Sequence, residues 1–124
     1  MKNPKDIFTI LNNLEEEVER LSGKTILITG GKGFLGTYIV NTLIYANNEY
    51  LTEKCKIIII DNNISSLNTN YNDSNYIKYI NANICEKLDI SEHIDYIMHA
   101  ASIASPRIYS ENMLNTIDVG YIGT

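Results

Sequence analysis

Positive charge is scarce in this sequence. Among its 124 residues, 10 are Lys or Arg and 15 are Asp or Glu, so the formal net charge is −5. A surface that binds nucleic acid needs a concentration of basic side chains to meet the phosphates, and this balance argues against one. We therefore expect no nucleic acid among the partners of this chain.

Long apolar runs and cysteines are also few. No run of about 18 apolar residues occurs, which predicts no membrane span, and residues 1–6 lack the apolar core of a signal peptide. The two cysteines, Cys55 and Cys85, form neither a Cys-x-x-Cys pair nor a cluster with histidine at metal-ligand spacing. We expect no metal site, two reduced thiols and a cytoplasmic protein.

Glycine, in contrast, recurs at a regular spacing. After the apolar run Ile26–Thr29, every third residue is a glycine at Gly30, Gly33 and Gly36. The first glycine permits a tight turn, the second leaves room for a phosphate, and the third lets a following helix pack close to the strand. Because a helix start attracts anions through its N–H groups and its dipole, this pattern predicts a pyrophosphate site.

The segments on both sides of the glycine turn predict a βαβ dinucleotide-binding unit. Ile26–Thr29 is typical of a short buried strand, and a second strand at Lys56–Ile60 ends in Asp61. The Asp61 carboxylate is placed to bind the hydroxyls of an adenosine ribose, and we favour this role over the alternative of an aspartate that only begins a turn. Apolar residues at helical spacing predict a helix between the strands; they are Phe34, Leu35, Ile39, Val40, Leu43 and Ile44.

Further strands are predicted by alternation at Tyr76–Asn81 and by the apolar character of Asp95–Ala101, and another helix begins near Ser110. The order βαββ(α)βα favours a mainly parallel sheet. We therefore predict an α/β fold, the first four strands of a Rossmann-type doubly wound sheet. Polar residues 61–75 predict a surface loop with at most a short helix near Ser65–Asn68, and Ile84–Ile94 is predicted as a connection or short helix.

An amphipathic helix is predicted over residues 5–21, ahead of the first strand. Its apolar side chains share one stripe, glutamates lie beside them, and Ser22-Gly23 ends it. This helix either covers an edge or face of the nucleotide fold or binds a partner. We therefore divide the chain into an N-terminal helix, residues 1–23, and a nucleotide-binding part, residues 24–124.

At Thr29–Gly36, Asp61-Asn62 and His99–Ser102 the sequence resembles the extended short-chain dehydrogenase/reductase family, the NAD-dependent sugar-nucleotide epimerases, dehydratases and decarboxylases. The resemblance covers about Lys24 to Thr124. Its Ala-Ser-Pro-Arg-x-Tyr segment, residues 104–109, is most similar to UDP-glucuronate decarboxylases and dTDP-glucose dehydratases. The resemblance implies NAD as cofactor, a nucleotide sugar as substrate and a homodimeric enzyme.

The resemblance also implies a set of cofactor-binding positions. They are Gly30, Gly33, Phe34, Leu35 and Gly36 at the pyrophosphate, Asp61 and Asn62 at the ribose, Asn83 and Ile84 at the adenine, and Ala100, Ala101 and Ser102 beside the cofactor. Phe34 and Leu35 would act through their backbone N–H groups. Ser105 falls where the family approaches nicotinamide and sugar, and a helix-capping or turn role is an equal alternative for it.

Three positions depart from the pattern of the family. Lys32 stands where a small residue is common, and its charge would meet the 2′-phosphate of NADP; Asp61 repels that phosphate, so we expect NAD. Asn83 replaces a usual aspartate, and Gly120 replaces a frequent asparagine. His99 is better interpreted as a structural histidine than as a general base.

The resemblance implies that catalysis needs a Tyr-x-x-x-Lys pair and a Ser or Thr, which in the family follow the segment matched by Gly123-Thr124. We expect no catalytic residue here. The chain is then the N-terminal, NAD-binding part of an enzyme, inactive alone and prone to aggregate through an exposed fourth strand. A stand-alone NAD-binding module and a non-catalytic interaction fragment are the alternatives.

Overall fold

The computed structural model describes residues 4–62, 75–103 and 110–124. Along the described chain, one helix separates the first two strands, two further strands follow in succession, and a last helix comes after them. The elements are α1 (Pro4–Leu14), a 3₁₀-helix (Glu15–Leu21), β1 (Thr25–Thr29), α2 (Phe34–Glu49), β2 (Lys56–Asp61), β3 (Ile77–Asn81), β4 (Tyr96–His99) and α3 (Met113–Tyr121).

The strands form one four-stranded sheet in the order β3-β2-β1-β4. Every pair is parallel, with Ile28 beside Ile59 on β2 and beside Met98 on β4. The two central strands are continuous apolar runs because parallel strands are covered on both faces. The predicted α/β fold with a parallel sheet is therefore confirmed.

Alternate residues of the central strands pack on opposite faces of the sheet, as strand geometry requires. On one face Ile26, Ile28, Ile57 and Ile59 pack against Val40 and Leu43 of α2. On the other face Leu27, Ile58 and Ile60 are covered by apolar residues of the chain that follows β3, among them Ile84, Leu88 and Ile94. That segment contains turns and extended chain without a helix, so Ile84–Ile94 is a connection.

The N-terminal segment packs on α2. Ile7, Leu11 and Val18 are buried against Ala46. The predicted single helix over 5–21 is wrong in one respect, because the α-helix ends at Leu14 and a 3₁₀-helix continues to Leu21. The α-helix ends before a run of acidic residues because negative charge at its carboxyl end is unfavourable to the helix dipole. In the 3₁₀-helix, with three residues per turn, Val18 and Leu21 lie on the same side and both face α2.

Two of the element ends also differ from the prediction. Helix α2 continues to Glu49, beyond the last apolar residue of the predicted helix at Ile44, and β4 is shorter than the predicted Asp95–Ala101. The short helix predicted near Ser65–Asn68 lies outside the described residues. Within the ranges that the structure describes, no helix has the length and apolar character needed to cross a bilayer.

Candidate functional site

The glycine turn between β1 and α2 has the geometry that its spacing predicts. Gly30 has a φ of 67°, a conformation that favours glycine. A Cβ at Gly30 would also lie 2.6 Å from the backbone of Ala101, and one at Gly36 would overlap the carbonyl oxygen of Gly30. These two glycines are therefore required for the close packing of the turn itself.

Gly33 differs from the other two glycines. A Cβ at Gly33 would meet only the carbonyl oxygen of Gly30, at 3.2 Å, and Gly33 is exposed. Its own N–H donates to that carbonyl at 3.0 Å. Since the protein hardly uses the space beside Gly33, the missing side chain leaves room for a ligand.

The start of α2 lies next to that space. Gly33 is its N-cap residue, and no side chain caps the helix. The first N–H groups of an α-helix have no acceptor within the helix, so this 16-residue helix presents donors and the positive end of its dipole. Phe34 and Leu35 expose their side chains, and the contribution expected of them here comes from their backbone groups.

Asp61, at the end of β2, is tied to the glycine turn. Its Oδ2 accepts a hydrogen bond from the backbone N–H of Lys32 at 3.0 Å, while the N–H of Gly30 donates to the carbonyl of Ile60 at 2.8 Å. The carboxylate is therefore held beside the phosphate-binding turn, and Asn62 follows it at the rim. Asp61 thus positions the turn in addition to any contact with a ribose.

Asn83 and Ile84 follow β3 along the same edge of the sheet. Asn83 Oδ1 accepts a hydrogen bond from the N–H of Cys85 at 3.1 Å, which closes a local turn. The side-chain NH₂ of Asn83 is then the group that can donate to a base edge. Ile84 packs beneath the sheet with Ile60, which provides an apolar surface for a ring.

A pocket of about 360 Å³ lies among these groups, at the carboxyl ends of the strands. The strand order reverses between β1 and β4, and ligands of open parallel sheets bind at such a point. The volume falls within the range of small-molecule sites. Its lining residues are Gly30, Lys32, Gly33, Ile60, Asp61, Asn62, Ala82, Asn83, Ile84, Ala100, Ala101, Ser102, Ile103 and Val119.

The structure thus brings most of the predicted site residues together. Phe34, Leu35 and Gly36 do not line the pocket, because Phe34 and Leu35 point outward and Gly36 lies beneath Gly30. Ser105 lies outside the described residues. Sequence reasoning missed the apolar lining at Ile60, Ala82, Ile103 and Val119; the position of Ile60 and Ala82 immediately before Asp61 and Asn83 was the available signal.

The expectation of no catalytic residue overlooked one pair, because Tyr50 and Lys54 have the Tyr-x-x-x-Lys spacing. The structure places the pair after the carboxyl end of α2, roughly 24 Å along that helix from the glycine turn. The Tyr50 hydroxyl contacts Asn12 Oδ1 at 3.4 Å, and Lys54 Nζ lies 4.8 Å from the centre of the Tyr76 ring. These contacts give the pair no part in the pocket.

The described residues offer no group of three His, Cys, Asp or Glu side chains that could hold a metal ion. Both cysteines are free thiols. Burial raises the pKa of the Cys55 thiol to about 11, so this thiol stays protonated and unreactive in the folded protein.

Comparisons with known proteins agree on one family. The model of the NAD dependent epimerase/dehydratase family matches residues 26–124. A putative UDP-glucose 4-epimerase from Methanocaldococcus jannaschii is 33% identical over 104 residues, which cover 80% of this chain and 31% of the relative. UDP-glucuronic acid decarboxylase 6 from Arabidopsis thaliana is 32% identical over 106 residues, 83% of this chain and 29% of the relative.

Solved structures show the same fold. The epimerase Mth375 from Methanothermobacter thermautotrophicus superimposes with a TM-score of 0.67 at 25% identity, over 87% of this chain and 31% of that one. The enzyme WbmF from Bordetella bronchiseptica, solved in complex with NAD⁺, superimposes with a TM-score of 0.63 at 18% identity, over 84% of this chain and 31% of that one. The chain therefore spans about a third of the length of these four proteins.

Proposed function

The chain belongs to the NAD-dependent epimerase/dehydratase family, and on that premise we propose that it is the NAD-binding portion of an enzyme that modifies a nucleotide sugar. The observation that carries the proposal is the space beside Gly33 at the uncapped start of α2, in a pocket that also contains Asp61. A dinucleotide needs this combination, because its pyrophosphate requires N–H donors and its ribose an acceptor.

The pocket residues fit the parts of such a cofactor in order. The glycine turn and the start of α2 would hold the pyrophosphate, Asp61 and Asn62 the ribose hydroxyls, and Asn83 with Ile84 the adenine. Ala100, Ala101 and Ser102 would line the path of the cofactor beyond the pyrophosphate, where small side chains leave its volume open. Bound NAD⁺ would supply a hydride acceptor for a sugar carbon and return the hydride later.

The nucleotide sugar is proposed from the relatives. The named proteins include a putative UDP-glucose 4-epimerase and a UDP-glucuronic acid decarboxylase, and both names refer to nucleotide sugars. We extend the proposal to epimerase, dehydratase or decarboxylase chemistry, a cytoplasmic location, and a homodimer for the whole enzyme. The division into an N-terminal helical segment, residues 1–23, and a nucleotide-binding part, residues 24–124, belongs to the same proposal.

The substitution Gly33→Val tests the cofactor site. A branched side chain would occupy the phosphate volume, so we expect NAD binding to be lost in calorimetric titration while the far-ultraviolet circular dichroism of the chain is kept. Gly120→Val is the matched control, because a Cβ at Gly120 meets no atom within 4 Å. Equal NAD affinity in wild type and Gly33→Val would contradict the proposal.

A further inference from the structure

The turn that follows β3 leaves a donor, and not an acceptor, facing the pocket. Asn83 begins this turn and uses both of its oxygen atoms to close it. Its side-chain Oδ1 accepts a hydrogen bond from the N–H of Cys85 at 3.1 Å, and its backbone carbonyl accepts one from the N–H of Glu86 at 3.0 Å. An amide rotated the other way would set its NH₂ group against the N–H of Cys85. The NH₂ group of Asn83 is therefore the part of the side chain that is left for a ligand.

The walls beside Asn83 are apolar and come from two elements. Ile84 lines the pocket from the turn after β3, and Val119 lines it from α3. The two lie close together, because a Cβ at Gly123 would be 2.8 Å from Ile84 Cγ2 and 2.5 Å from the carbonyl oxygen of Val119. Apolar walls accommodate a planar ring but do not distinguish one base from another. A choice between bases therefore depends on the polar group beside them.

The order of the strands decides which edge of the base meets Asn83. From β1 through β2 to β3, the carboxyl ends lead to the glycine turn, Asp61 and Asn83, and neighbouring strands are about 4.8 Å apart. With the pyrophosphate at the first of these positions and the ribose at the second, the base lies at the third. A purine is joined to its ribose through N9, so the edge farthest from Asp61 carries N1 and the substituent at position six.

Position six is where the common purines differ in hydrogen bonding. Adenine carries an amino group there, and an NH₂ group of Asn83 that faces it gives two donors without an acceptor. Hypoxanthine carries a carbonyl oxygen there, which accepts a hydrogen bond from the same NH₂ group. Since an amide oxygen can accept two hydrogen bonds, Asn83 Oδ1 still permits adenine to bind. The expected effect is thus a preference and not an exclusion.

We propose that Asn83 recognises position six of the purine as a hydrogen-bond donor, so that the pocket binds a dinucleotide with a 6-oxopurine at least as tightly as NAD. The inference rests on the proposed function, because it requires the base of a dinucleotide to lie between Ile84 and Val119. It extends that function by assigning a second class of ligand, the 6-oxopurine nucleotides, to the same pocket.

Calorimetric titration with NAD and with nicotinamide hypoxanthine dinucleotide tests the proposal. The two ligands differ only at position six of the purine ring and its N1 proton, and they have the same charge near neutral pH. We expect the wild-type chain to bind the hypoxanthine dinucleotide with an affinity between equal to and about tenfold above that for NAD, the size of one exchanged hydrogen bond. Tighter binding of NAD by the wild type would overturn the proposal.

Asn83→Asp reverses the polarity of the group that faces the base. One carboxylate oxygen still accepts from the N–H of Cys85, while the other replaces the NH₂ group by an acceptor. We expect this variant to bind NAD about threefold or more tightly than the hypoxanthine dinucleotide. The same ratio of the two affinities in the wild type and in Asn83→Asp would contradict the recognition of position six.

Two further variants complete the test. Asn81→Asp adds the same charge at an exposed position that does not line the pocket in the described part of the chain, and it should keep the wild-type ratio. An equal reversal in Asn81→Asp would attribute the preference to charge and overturn the proposal. Asn83→Ser covers the case in which Asn83→Asp does not fold, because its hydroxyl can accept from Cys85. Its ratio should fall below that of the wild type, and an unchanged ratio would contradict the proposal.

The failure of the inference is distinguishable from the failure of the proposed function. A wild-type chain that binds neither dinucleotide would refute the proposed function itself. A wild-type chain that binds both and prefers NAD would refute only the recognition of position six by Asn83.

Discussion

At the scale of single residues, the most distinctive feature of the pocket is a lysine and an aspartate of opposite charge in one wall. Lys32 and Asp61 both line the pocket, and the backbone N–H of the first donates to the carboxylate of the second. Asp61 disfavours a 2′-phosphate on the ribose, which adds up to about two negative charges, whereas Lys32 favours it. The preference between NAD and NADP therefore depends on both charges.

Lys32→Ala should weaken the binding of NADP by about two- to fivefold and leave the binding of NAD nearly unchanged, because a partly exposed charge contributes at most about 1 kcal/mol. Affinities for both cofactors are measured by calorimetry at one salt concentration. Lys56→Ala, at the opposite end of β2, is the control. An equal change for both cofactors would show that Lys32 does not discriminate between them.

Thr42 of α2 carries a buried hydroxyl group. Its Oγ1 has no hydrogen-bond partner in the described part of the chain, and the residue is 8% exposed. Thr42→Val should therefore raise the free energy of unfolding by roughly 0.5–1.5 kcal/mol in urea denaturation, since it removes an unsatisfied polar group and keeps the shape. A lower free energy of unfolding would indicate a partner for this hydroxyl.

Asn47 provides the opposite case on the same helix. Its Nδ2 donates to the carbonyl of Cys55 at 3.0 Å, and its Oδ1 accepts from the N–H of Cys55 at 2.8 Å. Asn47→Leu would leave two buried backbone groups unpaired and should lower the free energy of unfolding by about 2 kcal/mol or more. Thr42→Val and Asn47→Leu should therefore change the free energy of unfolding in opposite directions, because one removes a buried polar group without a partner and the other removes a buried group with two hydrogen bonds.

At the scale of elements, β4 is held to β1 by side chains at both of its ends. At the carboxyl ends of the two strands, Thr29 Oγ1 lies 2.8 Å from His99 Nδ1. At the amino ends, Asp95 contacts β1. Asp95 Oδ2 accepts from the N–H of Thr25 at 2.9 Å, and Oδ1 lies 3.3 Å from Lys24 Nζ and 3.9 Å from His93 Nε2. The backbone hydrogen bond from Thr25 and the hydrogen bond and charge of Lys24 lower the pKa of Asp95 below its ordinary value of 3.8.

A lowered pKa means that the ionised carboxylate stabilises the folded state. Its contribution is fully present above the unfolded-state pKa, about 3.8, and is lost as the pH falls through the lower folded-state value. Asp95→Asn should therefore be less stable than the wild type in urea at neutral pH and converge with it in strong acid. Asp89→Asn, at an exposed loop position, should show no such difference, and parallel acid profiles for wild type and Asp95→Asn would contradict this account.

Some elements could be predicted from the sequence, and others could not, for physical reasons. Strands β1 and β2 could be predicted from the sequence because a strand that is covered on both faces is continuously apolar. The change from α-helix to 3₁₀-helix after Leu14 could not be predicted, because it depends on where Val18 packs against α2. The glycine turn and Asp61 follow from local backbone rules, whereas the Thr29–His99 contact and the distant location of Tyr50 and Lys54 require the tertiary arrangement.

At the scale of the whole molecule, apolar surface is exposed at one edge of the sheet and on the last helix. Neighbouring strand residues point to opposite faces, and Ile97 and Met98 of β4 are 66% and 42% exposed. Both faces of this edge strand are therefore open. On α3, Met113, Ile117 and Tyr121 recur every fourth residue and are exposed as well. Exposed apolar edges and helix stripes of this kind favour association between chains.

We therefore expect the 124-residue chain to associate as its concentration rises, which light scattering and sedimentation velocity would detect. The double variant Ile97→Lys with Ile117→Lys places one charge on the strand edge and one on the exposed apolar side of α3. It should suppress association, because an edge lysine blocks strand pairing and because burying an ammonium group in an interface is costly. Phe8→Lys, which changes an exposed apolar residue of α1, is the control and should associate like the wild type. A wild-type chain that stays a monodisperse monomer at every concentration would show that this apolar surface is tolerated in solution, and equal suppression by Phe8→Lys would show that added charge, rather than its place on β4 and α3, controls association.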